Sequence, residues 1–81
     1  MTVNYIGKKT VIRDSFKEYA EKRLKKLGKF FDDDPVVNII VTNHSEDETV
    51  EVTIQSYGMF FRAERTSDDR QTSLDLVLDV L

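Results

Sequence analysis

The chain has 81 residues, of which 40% are hydrophobic and 33% are charged, and it contains no cysteine. This composition is typical of one globular domain rather than a disordered chain, and it excludes disulfide bridges and thiolate metal sites. No apolar run approaches the length of a membrane span, and the N-terminal residues lack the hydrophobic region of a signal peptide. We therefore expect a cytoplasmic protein without a membrane partner.

The net charge of −3 combines two halves of opposite sign. Residues 1–31 hold nine Lys/Arg against three Asp/Glu, whereas residues 32–81 hold three against twelve. A chain polarised in this way can bind a polyanion through one basic face in spite of its acidic total. The alternative is a solvated charged surface without a partner, because basic helix faces are common.

The first predicted elements are a strand over residues 1–6, a turn over residues 7–10 and a long amphipathic helix over residues 14–31 that frays near its end. Asp14 or Ser15 is the expected N-cap, and Glu18 is placed to complete a capping box. The helix has an apolar stripe formed by Phe16, Tyr19, Ala20, Leu24, Leu27 and Phe31. Its opposite face carries Lys22, Lys25, Lys26 and Lys29. Arg23 falls inside the apolar arc, so its stem should pack while its guanidinium reaches the edge.

The DDDP sequence at residues 32–35 ends this helix, and alternating β-branched residues follow it. Strands are predicted over residues 36–43, 49–55 and 59–66, joined by turns at 44–47 and 56–58. The inward residues of the first two are Val37, Ile39, Val41, Val50, Val52 and Ile54. Ser67 is the expected cap of a second helix. Its buried stripe is Leu74, Val77, Leu78 and Leu81, and Asp75 and Asp79 form its solvated face.

The element order is therefore β-α-β-β-β-α. Short connections make the last three strands an antiparallel meander, and the helical crossover allows the first strand to pair in parallel with a neighbour. The predicted fold class is α+β, with a four-stranded sheet and two helices packed on one face. Residues 1–81 form a single domain.

Catalytic groups are scarce in this sequence. His44 is the only histidine, and it lies with Ser45 and Glu46 in a polar turn where adjacent side chains diverge, which disfavours a nucleophile-base arrangement. The three glycines are far apart and form no phosphate loop. Residues 32–34 could suggest a cation site, but no further oxygen ligands follow at loop spacing. We expect no enzyme activity, no cofactor, no metal and no small-molecule substrate.

Nucleic-acid binding has better support. A reader of single strands would need aromatic residues on the open face of the sheet, whereas this face is polar and partly acidic, with Phe60 and Ile40 as its large apolar members. The basic helix and the Lys8-Lys9 turn remain. Such a surface contacts phosphates and shape rather than bases, as on structured RNA.

Two blocks of sequence carry a family resemblance. GKKTVIRDSFKEYAEKRLKKLGKFF at residues 7–31 and RAERTSDDRQTSLDLVLDVL at residues 62–81 resemble the ribosome hibernation-promoting factor and ribosome-associated inhibitor family. The resemblance implies a β-α-β-β-β-α fold and a translation inhibitor of stress and stationary phase. Such an inhibitor occupies the messenger and transfer RNA channel of the small ribosomal subunit. It also implies phosphate contacts at Lys22, Arg23, Lys25, Lys26 and Lys29, with Lys8 and Lys9 as secondary candidates.

Two departures from the family pattern stand in the second block. Arg70-Gln71 replaces a usual Met-Tyr pair, and Val80 replaces a frequent lysine at the point where relatives add a basic extension. This pattern is typical of an N-terminal domain of a long-form member. We expect its C-terminal domain, absent here, to form the homodimer that pairs ribosomes. The alternative function is a protein-interaction module, of the sigma-factor-modulating kind, that uses Phe60, Ile40 and the acidic turns.

Overall fold

Four strands and two helices build the domain in the computed structural model, which describes residues 1–81 apart from the side chain of Lys29. The strands are β1 (Thr2–Lys8), β2 (Val36–Asn43), β3 (Glu48–Ser56) and β4 (Met59–Ser67). The helices are α1 (Asp14–Leu27), which continues as a short 3-10 helix (Gly28–Phe30), and α2 (Arg70–Val80). The sheet order is β1-β2-β3-β4, with β1 parallel to β2 and the other pairs antiparallel. The predicted fold class is confirmed.

The core lies between one face of the sheet and both helices. The inward side chains of β2 and β3 alternate with polar ones, and all six are essentially inaccessible to solvent (Val37, Ile39, Val41, Val50, Val52 and Ile54). The helices cover them with Phe16, Ala20, Leu24, Leu74, Val77 and Leu78. Because every one of these strand residues points to the same side, the two helices must lie on one face of the sheet, as the alternation predicted.

The first strand is longer than predicted. Gly7 and Lys8 pair with Val41 and Thr42 in the parallel ladder, so they belong to β1 and not to a turn. Gly7 is required here because a β-carbon would collide with the carbonyl of Thr10, where the chain folds back towards α1. The turn itself begins at Lys9, whose φ of 60° is left-handed.

Both predicted helix caps were wrong. Arg13 is the N-cap of α1, and its side chain makes no capping hydrogen bond. Asp14 lies in the first turn of the helix, where its negative charge interacts favourably with the helix dipole. Asp69 caps α2, because its Oδ1 accepts from the Thr72 backbone N–H at 2.9 Å and its Oδ2 from the Thr72 hydroxyl at 2.8 Å. Ser67 is instead the last residue of β4.

The connector after α1 is tied to the β3–β4 hairpin. The Asp32 backbone N–H donates to the Ser56 hydroxyl at 2.9 Å, and its carboxylate accepts from the Tyr57 backbone N–H at 2.9 Å. Phe31 packs edge-to-face on Phe61, with ring centroids 6.0 Å apart. Asp32 therefore has a structural task. Within the described part of the chain, no group of acidic or histidine side chains is arranged to hold a metal ion, and none of its helices is long and apolar enough to span a membrane.

Candidate nucleic-acid interface

The solvent side of α1 carries three exposed lysines, Lys22, Lys25 and Lys26, which we call the lysine face. They fall within an arc of about 100°, because Lys25 and Lys26 follow Lys22 by three and four residues, which correspond to net rotations of about 60° and 40° in opposite directions. Buried Ala20 and Leu24 fix the rotation of α1 against the sheet, so the lysine face points away from the core. Lys29 was predicted to extend this face, but its side chain lies outside the described residues.

One flank of the lysine face borders a shallow depression of about 500 Å³. Its lining consists of Tyr19, Lys22, Arg23 and Lys26. Lys22 and Lys26 thus stand one helical turn apart at the edge of an open, concave surface. A phosphate group of a nucleic-acid backbone could approach both ammonium groups there without displacing the core.

Arg23 lines this depression, and its charge is already paired. Its Nη1 donates to Asp75 Oδ1 at 2.5 Å, and its Nη2 lies 3.6 Å from Asp79 Oδ1. The Tyr19 hydroxyl donates to the same Asp75 oxygen at 2.7 Å. The hydrogen bond with Tyr19 and the charge of Asp75 raise the pKa of Arg23, although its burial acts in the opposite direction.

This ion pair also corrects the prediction for α2. Asp75 was expected on a solvated face, yet its side chain is only 35% exposed and it holds α2 against α1 through Arg23. Asp79 is 69% exposed, in agreement with the prediction. The packed stem expected for Arg23 agrees with a side chain that is 28% exposed.

Lys8 and Lys9 are not brought to the lysine face. Lys8 ends β1, and by strand alternation its side chain lies on the sheet face opposite the helices. There it lies near Glu51, whose pKa is lowered chiefly by a hydrogen bond from Arg62 and to a smaller extent by Lys8. Lys9 is exposed in the turn that follows. The structure therefore assembles Lys22, Lys25 and Lys26, and it places Arg23 beside them in a paired state.

The other flank of α1 is anchored to β1. The Tyr5 hydroxyl donates to Glu21 Oε2 at 2.9 Å and to the Lys17 carbonyl at 3.3 Å. Burial, together with the Glu21 carboxylate, raises the pKa of Tyr5. The Lys17 ammonium lies 5.4 Å from the centre of the Tyr5 ring. Sequence reasoning missed this anchor, since the periodicity of α1 does not show which strand residue faces Glu21.

Arg70 is the centre of a second polar cluster that sequence reasoning missed. The replacement of the usual family pair by Arg70-Gln71 was the feature of the sequence that could have indicated it. The guanidinium binds both carboxylate oxygens of Glu48, at 2.7 and 3.3 Å, and it also donates to the Thr10 hydroxyl at 2.6 Å and the Val11 carbonyl at 3.0 Å. It thereby joins α2, β3 and the turn before α1. This cluster is a structural brace, because all these donors of Arg70 already have partners.

The open face of the sheet is mixed in character. Asn4 donates to Asn38 at 3.0 Å, and Arg62 donates to Glu51 at 2.6 Å. Phe60 is 70% exposed, and Ile6 at 52% is an apolar member that sequence reasoning did not include. Acidic and basic groups are neighbours on this face, so it lacks the uniform positive potential that a polyanion would seek.

Comparison with known proteins identifies the family of the chain. The sequence profile of the family described as Sigma 54 modulation protein / S30EA ribosomal protein matches residues 3–81. Proteins named ribosome hibernation promotion factor are 34% identical over 74 residues in Staphylococcus aureus and 33% identical over 81 residues in Lactococcus lactis. These matches cover 88% and 96% of this chain, but only 39% and 44% of those longer relatives. An Azotobacter vinelandii ribosome hibernation promoting factor is 27% identical, with 76% of its length covered.

Solved structures show the same fold. The Thermus thermophilus Protein Y N-terminal domain superposes with a TM-score of 0.90 at 22% identity, covering 99% of this chain and 90% of that one. A ribosomal subunit interface protein from Coxiella burnetii gives a TM-score of 0.85 at 20% identity, with 99% and 88% covered. The profile match over residues 3–81 shows that the chain belongs to the Sigma 54 modulation protein / S30EA ribosomal protein family.

Proposed function

We propose that this domain binds the small ribosomal subunit and inhibits translation without catalysis, by occupying the channel of the messenger and transfer RNAs. The observation that carries the proposal is the lysine face, which is exposed and lies on a helix packed against the sheet through its buried stripe. Ribosomal RNA presents closely spaced phosphates, and a preformed helix presents its lysines to them without the cost of ordering the backbone on binding. The names of the relatives, ribosome hibernation promotion factors, support this choice of partner.

The basic residues of the domain divide into principal and weaker candidates for phosphate contacts. Lys22, Lys25 and Lys26 are proposed as the principal phosphate ligands, and Lys29 and Lys9 as further ones. Arg23 is a weaker candidate because a phosphate would have to compete with Asp75 for its guanidinium. Lys8 would contact RNA only where RNA also reached the open sheet face. Any pairing of whole ribosomes is assigned to the part of the longer relatives that lies outside residues 1–81.

Co-sedimentation with purified small subunits over a range of salt concentrations tests the binding face. The variant Lys22→Gln/Lys26→Gln should bind at least about tenfold more weakly than the parent, and its log-log salt slope should be shallower by about 1.4–1.8. Arg62→Gln/Arg65→Gln is the matched control, because it removes the same charge from β4. Equal losses in both variants would indicate a general charge effect, and unchanged binding of the lysine variant would remove α1 from the mechanism.

Cell-free translation tests the mode of inhibition. Occupation of a channel requires one domain per ribosome, so half-inhibition should occur near stoichiometric amounts, and excess messenger with initiator transfer RNA should relieve it. The ribosomal RNA should remain intact. Inhibition by far fewer domains than ribosomes, or cleavage of the RNA, would instead show catalysis.

A further inference from the structure

The outer edge of β4 offers a regular set of backbone groups. β4 is one edge strand of the sheet and pairs with β3. The residues that flank a two-residue hairpin form a hydrogen-bonded pair, here Ser56 and Met59, so odd-numbered residues of β4 bond to β3. The even-numbered residues Phe60, Arg62, Glu64 and Thr66 therefore turn their N–H and C=O groups outwards. In agreement, the Glu64 carbonyl accepts from the Arg65 side chain at 2.7 Å.

We propose that two copies of this chain pair antiparallel through β4, about a two-fold axis at Ala63, into a continuous eight-stranded sheet. This pairing joins the outward backbone groups of Arg62 to those of Glu64 in the second copy, and the two-fold axis repeats the contact. Arg62 and Glu64 side chains lie on the open sheet face, so opposite charges meet directly across the junction. Arg62 binds Glu51 of its own chain through one Nη2 contact, and its remaining N–H groups can reach Glu64 of the second copy. The inference does not depend on ribosome binding, because the lysine face lies on α1.

The charge pattern of β4 selects this register over its neighbours. A shift that moves the axis to residue 62 places Arg62 opposite Arg62 of the second copy. A shift to residue 64 places Glu64 opposite Glu64. Like charges directly opposite one another destabilise a strand pair, so both neighbouring registers are disfavoured. The alternation of Arg62 and Glu64 thus fits a second copy of the same strand.

The helix layer is complementary in the same region. α2 packs over β3 and β4, and its side towards α1 carries Asp75 and Asp79. Leu76 directly follows Asp75, and Val80 directly follows Asp79, so each is rotated by about 100° around the helix from that aspartate and lies on the flank above the β4 edge. Leu76 is 42% exposed and Val80 is 54% exposed. In the joined sheet the two α2 helices would lie about two strand spacings apart, roughly 10 Å, which is a normal helix-packing distance. Leu76 and Val80 would then bury each other across the axis.

The expected dimer is weak and depends on concentration. One strand edge with one helix flank buries less than the roughly 1,200–2,000 Å² of stable complexes. The Arg65 side chain must also leave the Glu64 carbonyl before the strands pair. The Glu64→Arg variant separates this contact from the fold. In the monomer its new arginine stands opposite Glu51, whereas in the dimer it meets Arg62 of the second copy.

Sedimentation velocity up to millimolar concentration, combined with amide hydrogen exchange, tests the proposal on the 81-residue chain. The parent should dimerise, and the amides of Arg62 and Glu64 should become protected as concentration rises, while the Ala63 amide is protected throughout. Glu64→Arg should raise the dimer dissociation constant about tenfold, and Arg62→Glu/Glu64→Arg should restore it, because the charges again alternate. Thermal unfolding checks that each variant is folded.

Three results would overturn the inference. A parent that stays monomeric over the whole range excludes the dimer. Dimers whose Arg62 and Glu64 amides exchange as fast as in the monomer use another surface. A charge-swapped double variant that remains as weak as Glu64→Arg excludes the register about Ala63.

Discussion

Replacement of Arg70 by Met should destabilise the domain strongly, although the family pattern places Met at this position. The Arg70 and Glu48 side chains are only 21% and 16% exposed, and the guanidinium binds both carboxylate oxygens. Removing one partner of a buried ion pair costs roughly 3–5 kcal/mol, and the remaining exposure reduces this to about 2–3 kcal/mol. For a chain of this length, such a loss corresponds to a decrease in melting temperature of about 10–20 °C. Urea unfolding followed by circular dichroism measures it.

A double-mutant cycle identifies the cause. Glu48→Gln and Arg70→Met together should cost about 1–2 kcal/mol less than the sum of the single changes, because the double variant leaves no unpaired charge. Arg65→Met is the control on an exposed arginine and should change the free energy of unfolding by less than about 0.5 kcal/mol. An Arg70→Met variant as stable as the control, or strictly additive changes, would refute the proposed brace.

Four other substitutions test the core, a cap and two glycines by urea unfolding. Ile39→Ala should cost about 2–5 kcal/mol because the side chain is wholly buried, and a loss below about 1 kcal/mol would contradict the packing. Hydrogen bonds from Thr72 lower the pKa of Asp69 in the folded domain. The contribution of Asp69 to the free energy of unfolding should therefore be fully present above the pKa of an aspartate in the unfolded chain, and it should be lost as the pH falls through the lowered pKa of the folded domain. An Asp69→Asn variant whose stability keeps the same dependence on acid pH would refute this. Gly58→Ala should cost roughly 1–2 kcal/mol, because the φ of Gly58 is +71°. Gly28→Ala should be neutral or stabilising, because Gly28 has right-handed helical geometry. Equal effects of the two substitutions on the free energy of unfolding would contradict the turn geometry.

The strands could be predicted because their burial follows a simple period. In β2 the alternating apolar residues Val37, Ile39 and Val41 match the buried set, and its bounds agree with the prediction. The ends of other elements depend on partners that are distant in sequence. Gly7 breaks a local pattern, but the ladder with β2 extends β1 beyond it. Ser67 resembles a cap, but its pairing with Glu48 in β3 makes it part of a strand and transfers the cap to Asp69.

The candidate site could be predicted only to the level of one helix face. Helical periodicity alone places Lys22, Lys25 and Lys26 on the solvent side of α1, and the structure places them there. The ion pair of Arg23 could not be predicted from the same pattern, because its partner Asp75 lies 52 residues further along the chain. A helical wheel distinguishes inside from outside. It contains no information about which acidic side chain a neighbouring helix will bring to the edge.

The salt dependence of binding can distinguish the exposed lysines of α1 from Arg23, which is paired with Asp75. A lysine that replaces condensed counterions on RNA contributes roughly 0.7–0.9 to the log-log slope of binding against salt. Arg23 is already neutralised by Asp75, so a phosphate that took its place would leave the Asp75 carboxylate unpaired beside it. Lys26→Gln should therefore reduce the slope of small-subunit binding by about one contact, while Arg23→Gln should leave the slope unchanged, with Asp75 still bound by the Tyr19 hydroxyl. An equal reduction by both variants would show that Arg23 leaves Asp75 and contacts RNA directly. The ion pair between α1 and α2 would then open on binding.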